Sequence, residues 1–205
     1  MAETYKLTYF NLRALAEPIR LIFAYAGVEY EDVRIEREQW PEVKENYPWG
    51  QLPVLQVGDK TLSQSNTISR YLARKFNLVG EDEWEAAKID ELADALTDLR
   101  LEWRKFFMEQ DETKKAELKK VFVETTVPKY FTKFEAQIAA NNGGPYLVGK
   151  NLTWVDLLTA HFLEFFEVSE PGLLEKFGAL KKLRDTVFEN EKIKAWLDKR
   201  PVTQF

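Results

Sequence analysis

The chain has 205 residues, 45% hydrophobic and 14% aromatic, which is enough apolar material for one large or two small cores. Its net charge of −5 comes without a clustered basic stripe: Lys114-Lys115 and Lys119-Lys120 alternate with acids at helical spacing, as a solvated face would, so nucleic acid is not an expected partner. No apolar run approaches the ~20 residues of a membrane span and no basic-then-apolar leader opens the chain, so a soluble cytoplasmic protein with no membrane partner is expected.

Tyr5-Lys6-Leu7-Thr8-Tyr9-Phe10 alternates like a strand, and Tyr9 sits at its end. The loop Asn11-Leu12-Arg13 leads into a helical pattern over Ala16 to Ala26 that stops at Gly27, and a second strand runs from Tyr30 to Ile35. After a segment near Trp40-Pro41 comes the most informative stretch, Gln51-Leu52-Pro53-Val54-Leu55. A Pro opening a strand cannot donate to the sheet, and X-Pro bonds in tight turns are where cis isomers occur, so Leu52 is expected to turn its backbone N–H and C=O towards a peptide-like ligand. Gly58-Asp59 then forms a hairpin turn between Val54-Leu55-Gln56-Val57 and Lys60-Thr61-Leu62.

Gln64-Ser65-Asn66-Thr67-Ile68 opens a helix whose first turn holds Ser and Asn but no acid. Two readings stand side by side: an ordinary Ser-capped helix, or a free positive helix end that takes a carboxylate. The order β-α-β, then β-β-α, is that of a small α/β domain whose ligand lies at strand ends and helix N-termini, and Tyr9 would project into that site.

Past a short acidic linker, about Leu78 to Glu83, the texture becomes helical alone. Ile89, Leu92, Leu96, Leu99, Trp103 and Phe106 keep a helical period from Trp84 to about Met108, and Lys114 to Ala140 does the same with a break near Val127-Pro128. Thr153-Trp154-Val155-Asp156 is a capping-box start before an apolar run. Further helices span roughly Leu180 to Phe188 and Lys192 to Lys199.

The absences exclude chemistry. Zero cysteines rules out a dithiol redox centre, a Cys nucleophile and a thiolate zinc site, so a reacting thiol must come from a ligand. The single histidine, His161, lies inside an apolar helix pattern and reads as a packed structural residue. Asp90, Asp94 and Asp98 share one helix face, but hard-cation sites gather oxygen ligands with turns between them, so no functional metal is expected.

Tyr5 to Asn11, Trp40 with Lys44, Gly50-Gln51-Leu52-Pro53, Gln64-Ser65, Leu152 to Asp156 and Lys199-Arg200-Pro201 together resemble a cytosolic glutathione S-transferase. The resemblance covers essentially the whole chain and is of sigma-class flavour, close to nematode-type members. The pi class shares the Gln-Leu-Pro and Gln-Ser-Asn-Thr-Ile runs but less of the C-terminal half. The resemblance implies an α/β thioredoxin-like glutathione-binding domain over 1–78 and an all-α helical domain over 84–205, paired as a homodimer. Implied too is conjugation of glutathione, as co-substrate, to small apolar (hydrophobic) electrophiles in detoxification.

By the same resemblance Tyr9 donates to the glutathione sulfur. Gln64 and Ser65 hold the γ-glutamyl end, Leu52 beside Pro53 pairs its backbone with the cysteinyl part, and Trp40 and Lys44 hold the glycyl end, with Gly50 and Gln51 completing that loop. Asp98 would reach the γ-glutamyl amine of the other subunit, and Trp49 matches an aromatic that some classes insert into the partner. Phe10, Leu12, Leu15, Trp103, Phe106 and Phe107 are expected to line the electrophile pocket. The chain departs from the sigma pattern at Arg13-Ala14-Leu15, where a second Arg is absent and Leu15 makes the pocket more apolar, which argues against polar or prostanoid substrates. Rival readings are a glutathione-dependent prostaglandin isomerase or peroxidase on the same site, and a catalytically silent binding or lens-type protein that kept the fold.

Overall fold

The computed structural model describes residues 3–141 and 144–203, which fall into two compact units, 1–78 with 188–205 and 79–187. In the first unit, β1 (Tyr5–Phe10), α1 (Glu17–Ala26) and β2 (Glu31–Ile35) form a β-α-β motif, and β3 (Val54–Val57), β4 (Lys60–Ser63) and α3 (Ser65–Lys75) complete a β-β-α half. The sheet order is β2-β1-β3-β4, with β1 and β2 parallel and the other pairs antiparallel. The element order is the one read from the patterns, and the arrangement is the thioredoxin-like one that the resemblance implied.

Local chemistry explains the boundaries. Helix α1 starts one residue later than its apolar pattern, because Ala14–Ala16 forms a 3-10 turn first. It ends at Gly27, left-handed at φ 67°, where the Gly27 N–H reaches Ala24 O and the Val28 N–H reaches Phe23 O, both at 3.1 Å, a Schellman closure. Leu7 and Leu55 of the sheet are buried, as are Ile19, Ile22 and Phe23 of α1 and Ile68 and Leu72 of α3. Tyr5 packs its ring on Phe23 at 5.3 Å, and Phe23 stacks on Tyr30 at 4.4 Å. Between β2 and β3 lie the short α2 (Trp40–Val43) and three 3-10 turns, a run of single turns too short to show a periodic pattern. Helix α9 (Glu191–Lys199), last in the chain, belongs to this unit and packs on α1.

The second unit is helical: α4 (Glu83–Phe107), α5 (Glu112–Val121), α6 (Val127–Ala140), α7 (Trp154–Ser169) and α8 (Gly178–Glu189) up to Val187. No break occurs at Val127-Pro128. Pro128 has no N–H to return to the preceding turn, and residues Phe122–Thr126 widen into a π-helical turn that carries the chain continuously from α5 into α6. Helix α7 is the core: all of its residues from Trp154 to Leu163 are buried, and Phe162, Phe165 and Phe166 join Phe122, Phe106 and Trp103 in one aromatic cluster. His161 is buried among them, 5.2 Å from the Phe162 ring. The α5 lysines lie on an exposed face, Lys114 paired with Glu109 at 2.8 Å and Lys119 with Glu170 at 2.8 Å.

Candidate functional site

The sheet register assembles one row of residues. Thr8 on β1 pairs with Val54 on β3, and Val54 pairs with Ser63 on β4. Tyr9 follows Thr8, Pro53 precedes Val54 and Gln64 follows Ser63, so all three adjoin this row at the same end of the sheet. Tyr9 also pairs with Arg34 on β2 and is buried, its ring edge-on to Phe10 at 5.6 Å.

The Leu52–Pro53 peptide bond is cis. Leu52 stands just outside β3, and Pro53 is buried beside it. Helix α3 begins at Ser65, so its N-cap is Gln64 and not Ser65. Gln64 makes no side-chain capping bond, and no acid occupies the first turn. The Ser-capped reading therefore fails: the serine hydroxyl belongs to the first turn of the helix. Gln64 adopts φ 74° and ψ 114°, a region costly for a residue with a Cβ, and strained residues of this kind cluster at ligand clamps. Its amide donates to Gln51 Oε1 at 3.4 Å, which links two of the residues singled out in the sequence.

A second group forms on the segment before β3. The Trp40 ring lies edge-on to Phe10 at 5.3 Å and 5.8 Å from Tyr47, so it is seated against the end of β1. Gly50 has φ 52°, and a Cβ built on it would stand 2.9 Å from Lys44 Cε, so the lysine stem crosses the open face of the glycine. Trp49, at φ 61°, is 80% exposed. Leu12 and Leu15 are half-buried on the turn that follows Phe10.

In the second unit Trp103 and Phe106 are buried, whereas Phe107 is exposed at the end of α4 and stacks on Trp103 at 4.4 Å. Asp94 and Asp98 are exposed and Asp90 half-buried. Burial, then the charges of Asp98 and Glu102, push the pKa of the Tyr130 hydroxyl upward. Among the described residues no group of three or more His, Asp or Glu is placed to hold a metal ion, and no helix is long and apolar enough to cross a membrane.

Residues that pattern reading missed are Glu17, Arg20, Asp32, Arg34 and Trp196, which join Asn11 and Arg200 in a hydrogen-bonded network at the β1–α1 turn. Charged residues inside an apolar helical run, Glu17 and Arg20 at i and i+3, were the available signal.

Residues 5–74 match the family model for the glutathione S-transferase N-terminal domain, and residues 97–200 match that for the C-terminal domain. A glutathione S-transferase of Anopheles gambiae is 39% identical over 201 residues, spanning 98% of each chain. Among solved structures, prostaglandin synthase D of Nilaparvata lugens is 45% identical with a TM-score of 0.92, covering 98% of this chain and 100% of that one. A Nu-class enzyme of Haemonchus contortus is 41% identical with a TM-score of 0.92 and full coverage of both chains. The chain belongs to the glutathione S-transferase family. It is a transferase with glutathione as its co-substrate.

Proposed function

We propose that Tyr9 stabilises the thiolate of glutathione for attack on small apolar electrophiles, in a detoxifying enzyme of the sigma class that works as a cytoplasmic homodimer. The observation that carries this is that Tyr9, Pro53 and Gln64 adjoin the Thr8–Val54–Ser63 row at one end of the sheet, beside a helix whose first turn holds no acid. A glutathione thiol with a pKa near the free-cysteine value of ~8.5 is only a few per cent thiolate at neutral pH. Lowering that pKa by about two units takes about 2.7 kcal/mol, which a phenolic O–H donated to the sulfur supplies together with a helix dipole.

Around that centre, Ser65 and the α3 N-terminus take the γ-glutamyl carboxylate with Gln64. Leu52, next to Pro53, pairs its backbone with the cysteinyl part, and Trp40, Lys44, Gly50 and Gln51 enclose the glycyl end. Asp98 of the partner subunit reaches the γ-glutamyl amine. Residues 1–78 act as the glutathione-binding domain and 84–205 as the helical domain, its last helix α9 packing back on α1, with Phe10, Leu12, Leu15, Trp103, Phe106 and Phe107 facing the electrophile. A steady-state screen of glutathione with aryl halides, reactive aldehydes, lipid hydroperoxides and prostaglandin endoperoxide tests the substrate class. Turnover of aryl halides is expected.

A second reading, glutathione-dependent isomerisation of a prostaglandin, is favoured by the 45% identity to a protein described as prostaglandin synthase D. Turnover confined to the endoperoxide in the same screen would select it. The apolar Leu15 at the turn after Arg13 speaks for the first reading.

A further inference from the structure

Glu17 and Arg20 open α1 with side chains fully shielded from water. Glu17 Oε1 accepts from the Trp196 indole N–H at 2.9 Å and from Arg200 Nη1 at 3.0 Å, and its Oε2 accepts from Arg20 Nη1 at 3.2 Å. Arg20 then carries the connection forward. Its Nη1 also donates to Leu12 O at 2.7 Å, and its Nε donates to Asp32 Oδ1 at 3.2 Å. Asp32 Oδ2 accepts from Arg34 Nε at 2.9 Å, and Arg34 Nη1 donates to Asn11 Oδ1 at 3.3 Å. Asn11 in turn donates to Glu36 Oε1 at 3.1 Å.

The network has a direction. At one end are two side chains of the C-terminal segment, and at the other are Asn11 and Leu12, the residues that continue directly from Tyr9-Phe10. The turn between them needs fixing, because Ala14 sits at φ 31°, a conformation that residues with a Cβ rarely adopt. Buried ion pairs add little net stability over apolar packing of the same volume, so a network of this size is better explained by the geometry it imposes. Thr203 adds a further tie, since Arg13 Nη2 reaches its carbonyl at 3.5 Å.

We infer that Trp196 and Arg200, acting through Glu17 and Arg20, are positioning residues for thiolate stabilisation: the C-terminal helix clamps the Asn11–Ala16 turn and so fixes the end of β1. This rests on the reading of Tyr9 given above. It goes beyond that reading because it makes the ionisation of bound glutathione depend on residues some 180 positions downstream, the Glu17–Trp196 and Glu17–Arg200 bonds spanning 179 and 183 residues.

The test compares full-length Arg200→Leu, Trp196→Phe, Arg200→Lys and Lys192→Ala by thermal unfolding, steady-state kinetics and titration of thiolate absorbance in the glutathione complex. Lys192 is the control. It ties the same helix to α1 through Tyr25 O at 3.1 Å but does not touch the Glu17 network. Arg200→Leu is expected to raise the bound-thiol pKa by about one unit, equivalent to about tenfold less thiolate well below that pKa. It should lower kcat at neutral pH more than it raises KM for glutathione. Trp196→Phe should shift the pKa in the same direction, Arg200→Lys should restore it, and Lys192→Ala should lower Tm without moving it. A lower Tm with an unchanged thiol pKa in both Arg200→Leu and Trp196→Phe overturns the inference, leaving a fastening role only. If Arg200→Leu does not fold, Trp196→Phe alone decides by the same criterion. Tyr9→Phe is titrated separately, so an unshifted pKa in that variant counts against the Tyr9 reading and not against the clamp.

Discussion

Thr153 and Asp156 bind each other twice: Asp156 Oδ2 accepts from the Thr153 backbone N–H at 2.8 Å and from its hydroxyl at 2.7 Å. The other carboxylate oxygen accepts from the Leu147 N–H at 2.8 Å, so one fully buried acid satisfies the start of α7 and the loop before it. Asp156→Ala leaves three buried donors without an acceptor and should destabilise the protein by about 3–5 kcal/mol. Denaturant unfolding checks this, and the helical unit is where the loss should register.

The same residue gives a pH dependence. Burial pushes the Asp156 carboxyl up from 3.8 to about 6, against the opposing pull of its three donors. A folded-state pKa above the unfolded one means the folded chain holds the proton more tightly. The stability this contributes is complete below pH 3.8 and is lost as pH rises through about 6. The unfolding free-energy gap between wild type and Asp156→Asn should therefore narrow across that window, by on the order of 2–3 kcal/mol. A gap independent of pH would show that the carboxyl does not titrate there.

At the α3 N-terminus, Ser65→Ala should weaken glutathione binding by about 1–3 kcal/mol, because a bond to a carboxylate is lost at the positive end of a helix. Calorimetry measures it directly. An affinity within about twofold of wild type, less than 0.5 kcal/mol, would leave Ser65 as a plain first-turn residue.

Much of this was legible beforehand, and the parts that were not share a cause. Gly27, the Gly58-Asp59 turn and the Thr153–Asp156 box are local devices, complete within a few residues, and each appears where the pattern put it. At α3 the two readings of Gln64-Ser65 could not be separated in advance, because Ser is a common N-cap and Gln is not; the backbone of Gln64 at φ 74° shows that the helix starts at Ser65, one residue earlier than a Ser cap would give. Pro128 signalled a break, but sequence periodicity does not distinguish a broken helix from one that widens by a π turn. The distant partners of Glu17 were not legible for a different reason: Trp196 and Arg200 lie far from it in the chain, and no periodicity encodes such a pairing. Of the candidate site, Tyr9, Pro53 and Gln64 adjoin the Thr8–Val54–Ser63 row at one end of the sheet, and the Gln64–Gln51 bond ties in the loop before Pro53.

Gly50→Ala should act on both stability and binding. Its φ of 52° is unfavourable for any residue with a Cβ, at a cost of about 1–2 kcal/mol, and the new methyl would press on Lys44 Cε. A lower Tm together with a higher KM for glutathione is expected. A lower Tm with KM unchanged would separate Lys44 from the binding site.

Asp98→Ala should raise KM for glutathione without unfolding the chain, because Asp98 is exposed on α4 and is proposed to serve the partner's site. Kinetics and light scattering at assay concentration test the two halves together. A fully active monomer would contradict the shared site.

The central claim is that Tyr9 holds the thiolate, and the most direct measurement is titration of thiolate absorbance in the glutathione complexes of wild type and Tyr9→Phe. Removing one hydroxyl from a buried ring should leave glutathione affinity nearly unchanged, lower kcat at neutral pH and move the bound-thiol pKa up towards the free value of ~8.5. A bound-thiol pKa identical in the two proteins would contradict the account.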